Sequence, residues 1–516
     1  MTTTAEAQTL LVKLLDPSNR SNPYPVYDQI RERGPLCMPE SNLTVFSSFD
    51  ECDEVLRHPS SASDGMKSTV VQRRIAQGAA FRPLGPPGFL FLDPPDHTRL
   101  RKLVSKAFVP KVVKALEPDI TAMVDGLLDD VAPAGHFDVI ADLAYPLPVA
   151  VICRLLGVPL EDEPKFSHAS ALLAQALDPF NTLTGESADG VGRRLEAGRW
   201  LREYLHGLID LRRGEPRDDL ISGLIAAEED GDQLTEDEIV ATCNLLLIAG
   251  HETTVNLIAN AMQAMLMQPA QWRALAADPG RVSMVVEETM RYDPPVQLAM
   301  RIAGEHMTIG VVDIPKGDRM MLLIAAAHRD PESIERPDEF DPNRAATRHL
   351  GFGKGPHFCL GAPLARLEPT DSLPTSASML PNLPASVRVC TPARRGWRHF
   401  AHAREGDRAL QRVEDAVQEL LGALFLRIAD HLVGSALLED DALIGEKHLV
   451  GNLLGELDFV GDDDQCPALD GQILDDREHL ADQLGVERRR RLVEQHQLRL
   501  QRQRPGDADA LLLPAG

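Results

Sequence analysis

The feature that most constrains the fold is one long apolar helix in the middle of the chain. Thr235 can cap its start, and Glu238, three residues on, can reach back to complete a capping box. From there the apolar pattern runs to about Met267, and roughly 33 residues at 1.5 Å rise make a rod of about 50 Å. Because the stretch ATCNLLLIAG is apolar on most faces, this rod is expected to cross the middle of a large globule.

The rest of the chain reads as mostly helical, with a few short strands. Residues Val112 to Ala132 alternate apolar and acidic side chains at helical spacing. Helices dominate about the first 300 residues, and strand-like pieces then appear at Val296–Ile302, Met307–Ile314 and Met320–Ala325. These patterns predict a mostly α protein with small β-sheets, in the α+β class.

Charge and composition exclude several classes of function. The chain has 53 basic and 78 acidic residues, a formal net charge of −25, which disfavours binding to nucleic acid or to an anionic membrane. We find no secretory signal and no apolar stretch of about 18 residues, so no membrane span is expected. The seven cysteines are scattered without a CxxC pair. This argues against a zinc ribbon or a disulfide framework and favours a reducing, cytoplasmic location.

Cys359 differs from the other cysteines because glycines surround it, in Gly351-Phe-Gly-Lys-Gly-Pro-His-Phe-Cys359-Leu-Gly361. Glycines let a backbone wrap closely around a ligand. Backbone N–H groups and the helix start that follows are expected to lower the pKa of the thiol. Such a thiolate is either a nucleophile or an axial metal ligand. A nucleophile needs a base and an orienting residue, and only His357 is near in sequence. A buried structural cysteine would not need this glycine pattern.

The run FGKGPHFCLGAPLAR resembles the haem-binding loop of the cytochrome P-450 haem-thiolate monooxygenases, in their soluble bacterial form. Matching elements lie in family order from about Asn22 to Glu368. The resemblance implies a triangular prism-like fold with the long central helix over haem b. It also implies that Cys359 is the metal ligand, that Phe352 and Gly361 contact the cofactor, and that O2 is the co-substrate.

Further motifs extend the resemblance to the groups that bind the haem propionates. Asp93-Pro-Pro-Asp-His97-Thr-Arg-Leu-Arg101 is similar to the start of a family helix, and His97 and Arg101, four residues apart, share one helix face. By the same resemblance Arg301 and His357 bind the propionates too. Read alone, the His97–Arg101 pair would be an ordinary solvated face.

The long helix carries the segment Ala249-Gly250-His251-Glu252-Thr253-Thr254, which resembles the family's oxygen-binding kink. The small Ala249 and Gly250 would leave room for O2. The resemblance implies that Thr253 and Glu252 are the catalytic pair that holds water and relays protons. Read without the family, the segment indicates only a bend, and His251 is expected to be a packing residue.

Two more elements are structural or face substrate in the family. Glu288-Thr-Met-Arg291 matches its E-x-x-R element, with Arg344 completing the network that holds the cysteine loop. Side chains expected to face substrate are Val296, Leu298 and Ala299. Phe89, Leu90 and Phe91 are either a pocket lid or core.

The resemblance also implies partners. Electrons would come from a ferredoxin or flavodoxin with an NAD(P)H-dependent reductase, and the substrate would be a small hydrophobic molecule. A docking patch is expected at Lys102, Lys106, Lys354 and Arg366, which read equally well as ordinary surface cations. The alternatives are a peroxide-driven relative and an inactive haem-binding protein.

The C-terminal part departs from the family. Prolines at 369, 374, 381, 384 and 392 predict that the helix after Cys359 ends at Glu368, because an internal proline costs about 3 kcal/mol. Residues 401–516 are acid-rich and contain no Met, Thr, Trp or Tyr. We therefore expect a monooxygenase domain over residues 1–400, followed by either a helical appendage or, as we favour, a product of out-of-frame translation from about residue 369.

Overall fold

The computed structural model describes residues 3–19, 21–78, 86–107, 110–134, 138–174, 188–229 and 231–379. All of them belong to one compact unit. The expected tail over residues 401–516 lies outside the described residues.

Helices dominate the described part of the chain, as predicted. They are α1 (Thr4–Leu15), α2 (Tyr24–Arg33), α3 (Phe49–Arg57), α4 (Thr69–Ala76), α5 (Asp96–Ala107), α6 (Pro110–Ala115), α7 (Glu117–Val131), α8 (Pro146–Leu156), α9 (Glu163–Ala174), α10 (Ala188–Gly214), α11 (Leu220–Ala226), α12 (Glu236–Leu266), α13 (Pro269–Ala277), α14 (Val282–Tyr292), α15 (Ile324–Ala327) and α16 (Ala362–Met379). A π-helix, Val139–Ala144, leads into α8.

The long central helix is α12, and its start is the predicted one. The Thr235 side chain accepts from the Glu238 backbone N–H, and the Glu238 side chain accepts from the Thr235 N–H at 2.8 Å. Most of the helix is buried, in contact with the π-helix, α8, α9, α10, α14 and α16. The central position expected from its apolar faces is therefore confirmed.

The strands form one five-stranded sheet and two small hairpins. They are β1 (Leu36–Met38), β2 (Leu43–Phe46), β3 (Ser61–Ala62), β4 (Glu228–Glu229), β5 (Asp232–Gln233), β6 (Ala299–Ala303), β7 (Met307–Ile309), β8 (Val312–Ile314) and β9 (Arg319–Leu322). The large sheet has the order β1-β2-β9-β6-β3, and only the β2–β9 pairing is parallel. The three predicted strand regions are present, but the third ends at Leu322 and continues as α15.

The prediction that the helix after Cys359 stops at Glu368 is wrong. Helix α16 continues to Met379 with Pro369 and Pro374 inside it. Leu373 and Ala377 are fully buried in the main core, and this burial offsets the cost of the prolines. Three hydroxyls donate to carbonyls four residues back, from Thr370, Thr375 and Ser376, at 2.7 to 2.8 Å.

The expectation that no segment is long and apolar enough to span a membrane is also corrected. Val139–Leu156 has 18 residues with a mean hydropathy of 1.8. The π-helix and α8 share this segment, and 67% of it is buried inside the protein. Such burial is typical of a core helix in a folded domain, which is how the segment packs against α7 and α12 here.

Candidate functional site

The site is built around the loop that carries Cys359. The Cys359 backbone N–H donates to the Phe352 carbonyl at 2.8 Å, and the Gly353 N–H donates to the Leu350 carbonyl at 2.7 Å. Gly353 and Gly355 have φ values of +68° and +65°, a region that other residues enter at a cost. These two turns fold the loop back on itself so that Cys359 lies at the start of α16.

The loop packs tightly on α14 at Gly351. A Cβ added there would lie 2.6 Å from Met290 Cε and 3.2 Å from the Met290 carbonyl oxygen. Met290 lies on α14 between Glu288 and Arg291 in sequence. The position of the cysteine loop therefore depends on the network that these two residues form.

That network is the predicted one. Glu288 and Arg291 are fully buried and form a two-pronged ion pair at 2.8 and 2.9 Å. Arg344 Nε adds a bond to Glu288 Oε1 at 3.0 Å. Arg291 also donates to the carbonyls of His328, Pro337 and Glu339. These bonds tie α14 to the segment that leads into the cysteine loop.

The pKa of Cys359 differs from the sequence expectation. The sulfur accepts from the backbone N–H groups of Gly361 and Ala362, and the Arg101 guanidinium lies near it. Each of these contacts lowers the pKa, but the protein packed around the sulfur outweighs them and raises the pKa of the thiol. Desolvation thus opposes the contacts that favour the thiolate, whereas a bound metal cation would deprotonate a ligating thiol.

Four basic side chains gather beside the loop, and we call them the cationic cluster: His97, Arg101, Arg301 and His357. The His97 and His357 rings lie 4.1 Å apart between centroids, and Arg101 donates to the Phe358 carbonyl. Burial, followed by repulsion from His97 and Arg301, lowers the pKa of His357 to about 3. Burial and Arg101 likewise lower the pKa of His97.

Asp93 was missed as a functional candidate, although the sequence places it just before His97. Its carboxylate accepts from the Ser63 N–H at 2.7 Å and the Asp64 N–H at 3.3 Å, and pairs with Lys67 Nζ at 2.8 Å. Its negative charge also raises the pKa values of His97, Arg301 and His357, and so offsets part of their lowering. One carboxylate, already shared with Lys67, thus acts on three of the four residues of the cationic cluster.

The residues present fit haem b. Three buried ring nitrogens have no hydrogen-bond partner in the described part of the chain. They are Nδ1 and Nε2 of His97 and Nδ1 of His357. Buried polar atoms normally find partners, and a pair of propionates would supply them while relieving the repulsion within the cationic cluster. Cys359 lies beside this cluster, and a Cβ on Gly361 would stand 3.9 Å from its sulfur. The donor set thus suits a dianionic group with a thiolate-ligated metal.

The predicted catalytic segment lies near the middle of α12. Thr253 Oγ1 donates to the Ala249 carbonyl at 2.6 Å, and Thr254 Oγ1 donates to the Gly250 carbonyl at 2.9 Å. A Cβ on Gly250 would meet only Ile152, at 3.6 Å. The two hydroxyls therefore bond within the helix backbone, which is the interaction that loosens a helical turn.

His251 is buried, as its expected packing role requires. Its ring meets the Tyr145 ring edge-on, with centroids 4.7 Å apart. Burial lowers the pKa of His251 to about 4, so the ring is neutral near pH 7.

The three residues expected to contact substrate differ in how far they are buried. Leu298 is buried in a separate core between α1, α2 and the sheet, and Ala299 packs against a third core. Val296 retains 39% exposure. Of the aromatic pair left open as lid or core, Phe89 is core, whereas Phe91 is exposed.

Arg366, one of the residues predicted for the docking patch, is partly exposed and is paired with a carboxylate. It donates to Glu287 at 2.6 and 3.2 Å and lies 4.4 Å above the Phe352 ring. His349 bonds the same carboxylate at 3.1 Å. Burial alone would raise the pKa of Glu287, but His349 and Arg366 hold it at about 2. The spacing of residues in the sequence does not indicate the contact between Arg366 and Glu287, because the two residues are 79 positions apart.

Known proteins match most of the described chain. A family model described as cytochrome P450 matches residues 45–278 and 281–372. The ligand-free structure of CYP164A2 from Mycobacterium smegmatis is 66% identical, with a TM-score of 0.68, over 73% of this chain and 93% of that one. Vitamin D(3) 25-hydroxylase from Pseudonocardia autotrophica is 40% identical over 354 residues, covering 67% of this chain and 83% of that protein. PikC from Streptomyces venezuelae is 38% identical over 393 residues, covering 75% and 90%.

The structural matches confirm the mostly helical fold with small sheets, and the sequence matches span more than half of the chain. The chain belongs to the cytochrome P450 family, the haem-thiolate monooxygenases that use haem b as cofactor and O2 as co-substrate.

Proposed function

We propose that this protein is a cytoplasmic monooxygenase that inserts one oxygen atom into a small hydrophobic substrate, in which Cys359 would ligate the iron of haem b. The observation that carries the proposal is the cationic cluster beside the cysteine loop, in which ring nitrogens of His97 and His357 lack hydrogen-bond partners among the described residues. When bound, the haem supplies oxygen activation and the transfer of one oxygen atom, consuming two electrons and two protons and releasing water.

The protein's own residues bind, orient and deliver protons. His97, Arg101, Arg301 and His357 hold the two carboxylates of the cofactor. Phe352 and Gly361 pack against it beside the sulfur. The small Ala249 and Gly250 would leave room for O2 beside the bound cofactor.

Glu252 and Thr253 form the proton-delivering pair. Thr253 Oγ1 can exchange its 2.6 Å bond to Ala249 for one to a bound water or to O2, and Glu252, its neighbour in sequence, can supply the proton.

The ligands of related proteins support the proposed substrate class. Structures related to this chain hold corticosterone, testosterone and myristic acid, at 33 to 38% identity, and CYP164A2 has been solved with econazole bound. All are largely apolar. Titrating the holoprotein with corticosterone, myristic acid and econazole while recording the Soret band tests this class, and no shift with any of the three would count against it.

The electron donor is a ferredoxin or flavodoxin with its reductase, docking where Cys359 approaches the surface. A cleft of about 280 Å³ adjoins the cysteine loop, with Phe49, Arg57, Arg348 and Lys354 among its lining residues. Arg348 and Arg57 are exposed, and these cations suit an acidic electron-transfer protein.

A charge reversal tests this docking face. Arg348→Glu should slow reduction by an added ferredoxin and weaken the salt dependence of that rate, since it removes an attraction. The control is Lys316→Glu, on an exposed residue paired with Glu305 and outside the cleft. Equal rates for both variants would contradict the assignment of the face.

We also propose that residues from about 369 onward are translated out of frame, and that the monooxygenase domain proper lies within residues 1–400. The support is that the family match ends at residue 372 and that two prolines stand inside α16. Resequencing the coding region together with the intact mass of the protein tests this. A confirmed reading frame with the expected mass would refute it.

The experiment that tests the function is the carbon monoxide difference spectrum of the reduced protein. A strongly red-shifted Soret band is expected for the wild type and for Cys37→Ser, a half-buried cysteine on β1. Cys359→His should keep haem but lose the shift. A wild-type protein with haem but no shift would favour the inactive haem-binding alternative, and turnover with H2O2 but not with redox partners would favour the peroxide-driven one.

A further inference from the structure

Two histidine side chains outside the cationic cluster bind the backbone of the cysteine loop. The ring of the first, His328, accepts at Nε2 from the Leu350 backbone N–H at 2.7 Å. The Leu350 carbonyl in turn accepts from the Gly353 N–H at 2.7 Å, and the Phe352 carbonyl accepts from the Cys359 N–H at 2.8 Å. These bonds follow one another through the loop, so a displacement of the Leu350 peptide group also displaces Cys359.

The second histidine holds the next peptide group of the loop. His349 Nδ1 accepts from the Gly351 N–H at 3.2 Å. Its other ring nitrogen, Nε2, lies 3.1 Å from Glu287 Oε2, and the same carboxylate binds Arg366. The consecutive N–H groups of Leu350 and Gly351 are thus both donated to imidazole nitrogens.

His328 also joins the loop to the Glu288–Arg291 network. Arg291 Nη1 donates to the His328 carbonyl at 3.1 Å, and the His328 backbone N–H donates to the Ile324 carbonyl at 3.0 Å. These two bonds fix the backbone of a fully buried residue. Its ring therefore relates the position of Leu350 to that of α14.

Both contacts to the loop require a ring nitrogen with a free lone pair. A neutral imidazole has one donor and one acceptor nitrogen, whereas a protonated ring has two donors. The hydrogen is therefore on Nδ1 of His328 and on Nε2 of His349, where it can be donated to Glu287. Burial, followed by the charges on His349 and Arg291, lowers the pKa of His328 well below its ordinary value, which keeps that ring a neutral acceptor.

We propose that His328 and His349 are positioning residues, which hold the first two N–H groups of the loop so that the Cys359 sulfur stands where it can ligate the iron. This inference rests on the proposed function, in which Cys359 is that ligand. The role requires a neutral acceptor at each of two points. An amide oxygen at the same point should therefore serve as well as the ring, whereas a side chain without an acceptor there should not.

Paired substitutions separate the acceptor from the bulk of the side chain. His328→Phe keeps a ring and removes the acceptor, whereas His328→Gln places an amide oxygen near the former Nε2. At the second site, His349→Asn places an amide oxygen near the former Nδ1, in the turn that asparagine forms with the N–H two residues on, and gives up the bond to Glu287. His349→Gln keeps an amide near Glu287 and removes the Nδ1 acceptor.

The first readout is hydrogen exchange of single backbone amides in the holoprotein, which reports each bond to the loop. His328→Phe should speed exchange at Leu350, and His349→Gln should speed exchange at Gly351, each by about tenfold or more, because a buried donor loses its partner. His328→Gln and His349→Asn should stay close to the wild type at both amides.

The second readout is the red-shifted carbon monoxide band, measured as a fraction of the bound haem. His328→Phe and His349→Gln should each lose about half of this band or more while they keep haem, whereas His328→Gln and His349→Asn should retain it. A retained band and unchanged exchange in His328→Phe and His349→Gln would overturn the inference. So would a band that is lost in His349→Asn and kept in His349→Gln, because the bond to Glu287 would then be the one that matters.

If His328→Phe fails to fold or to bind haem, the two His349 variants decide the question by the same criteria. A wild type that binds haem without the red-shifted band would instead overturn the proposed function. The exchange rates in the same proteins would still show whether the histidines hold the loop, so the two failures are distinguishable.

Discussion

Replacing Glu368 by Gln should remove a pH-dependent loss of stability that one buried carboxyl imposes on the fold. Glu368 lies on α16, is 2% exposed, and its Oε2 has no hydrogen-bond partner among the described residues. Burial raises the pKa of this carboxyl from 4.5 to about 8. The folded protein therefore keeps the proton at pH 7, whereas the unfolded chain releases it.

The sign and size of the effect follow from linkage. Because the folded state binds more protons between pH 4.5 and 8, the free energy of unfolding falls as the pH rises through this range. Each pH unit is worth about 1.4 kcal/mol. The carboxyl thus costs about 3 kcal/mol at pH 7 and about 5 kcal/mol above pH 8, and it costs almost nothing below pH 4.5. A glutamine has no proton to lose.

The assay is urea unfolding of both proteins at several pH values between 5 and 8.5. The difference in unfolding free energy between Glu368→Gln and wild type should grow by about 1.4 kcal/mol per pH unit and level off above pH 8. If burying the glutamine amide has a free-energy cost that does not depend on pH, it shifts the plot of this difference against pH without changing its slope. Glu305→Gln, at an exposed carboxyl, should give a flat difference. A flat difference for Glu368→Gln as well would refute the reasoning.

Three further predictions concern the supports of the cysteine loop. Glu288→Gln should lower the free energy of unfolding by about 3–5 kcal/mol, because it leaves Arg291 and Arg344 buried without their counter-charge, whereas Glu305→Gln should cost less than about 1 kcal/mol in urea unfolding. Gly351→Ala should speed haem loss to added apomyoglobin, because its Cβ would lie 2.6 Å from Met290 Cε and 3.2 Å from the Met290 carbonyl oxygen, while Gly126→Ala, whose Cβ would meet no described atom within 4 Å, should not. The stability advantage of wild type over Glu287→Gln should be complete above about pH 4.5 and vanish as the pH falls toward 2, since the folded pKa of Glu287 is about 2; an advantage that persists below that pH in acid unfolding would contradict this.

The features that the sequence predicted well are those settled within a few residues. The capping box at Thr235 marks the start of α12 because both of its bonds close within one turn. The Glu288–Arg291 pair was implied by the family resemblance, and it forms within one helix because residues three apart can meet on the same face. The glycines around Cys359 likewise report a local backbone requirement.

The features that the sequence predicted poorly depend on contacts between distant segments. Leu298 has the same apolar character as a substrate contact, and only the packing of α1 and α2 places it in a separate core. Arg366 reads as a surface cation until Glu287, 79 positions earlier, is brought beside it. Desolvation raises the pKa of the Cys359 thiol, and no local sequence pattern records this effect.

The second half of α16 offers a stability test of the proposed change of reading frame. If the buried face of this half of the helix was not selected for this fold, we expect buried polar groups there that form no hydrogen bond. Ser372 is fully buried and its Oγ has no partner in the described part of the chain. Ser372→Ala should therefore raise the free energy of unfolding by about 1–3 kcal/mol.

The matched change, Ser167→Ala, removes a hydroxyl that is bonded to Tyr145 and should lower the free energy of unfolding by about 1 kcal/mol. If the two substitutions change the free energy of unfolding in opposite directions, the Ser372 hydroxyl on α16 destabilises the folded protein. A loss at Ser372 as large as that at Ser167 would mean that this half of the helix is built for its surroundings, and the proposal of an altered reading frame would then lose its structural support.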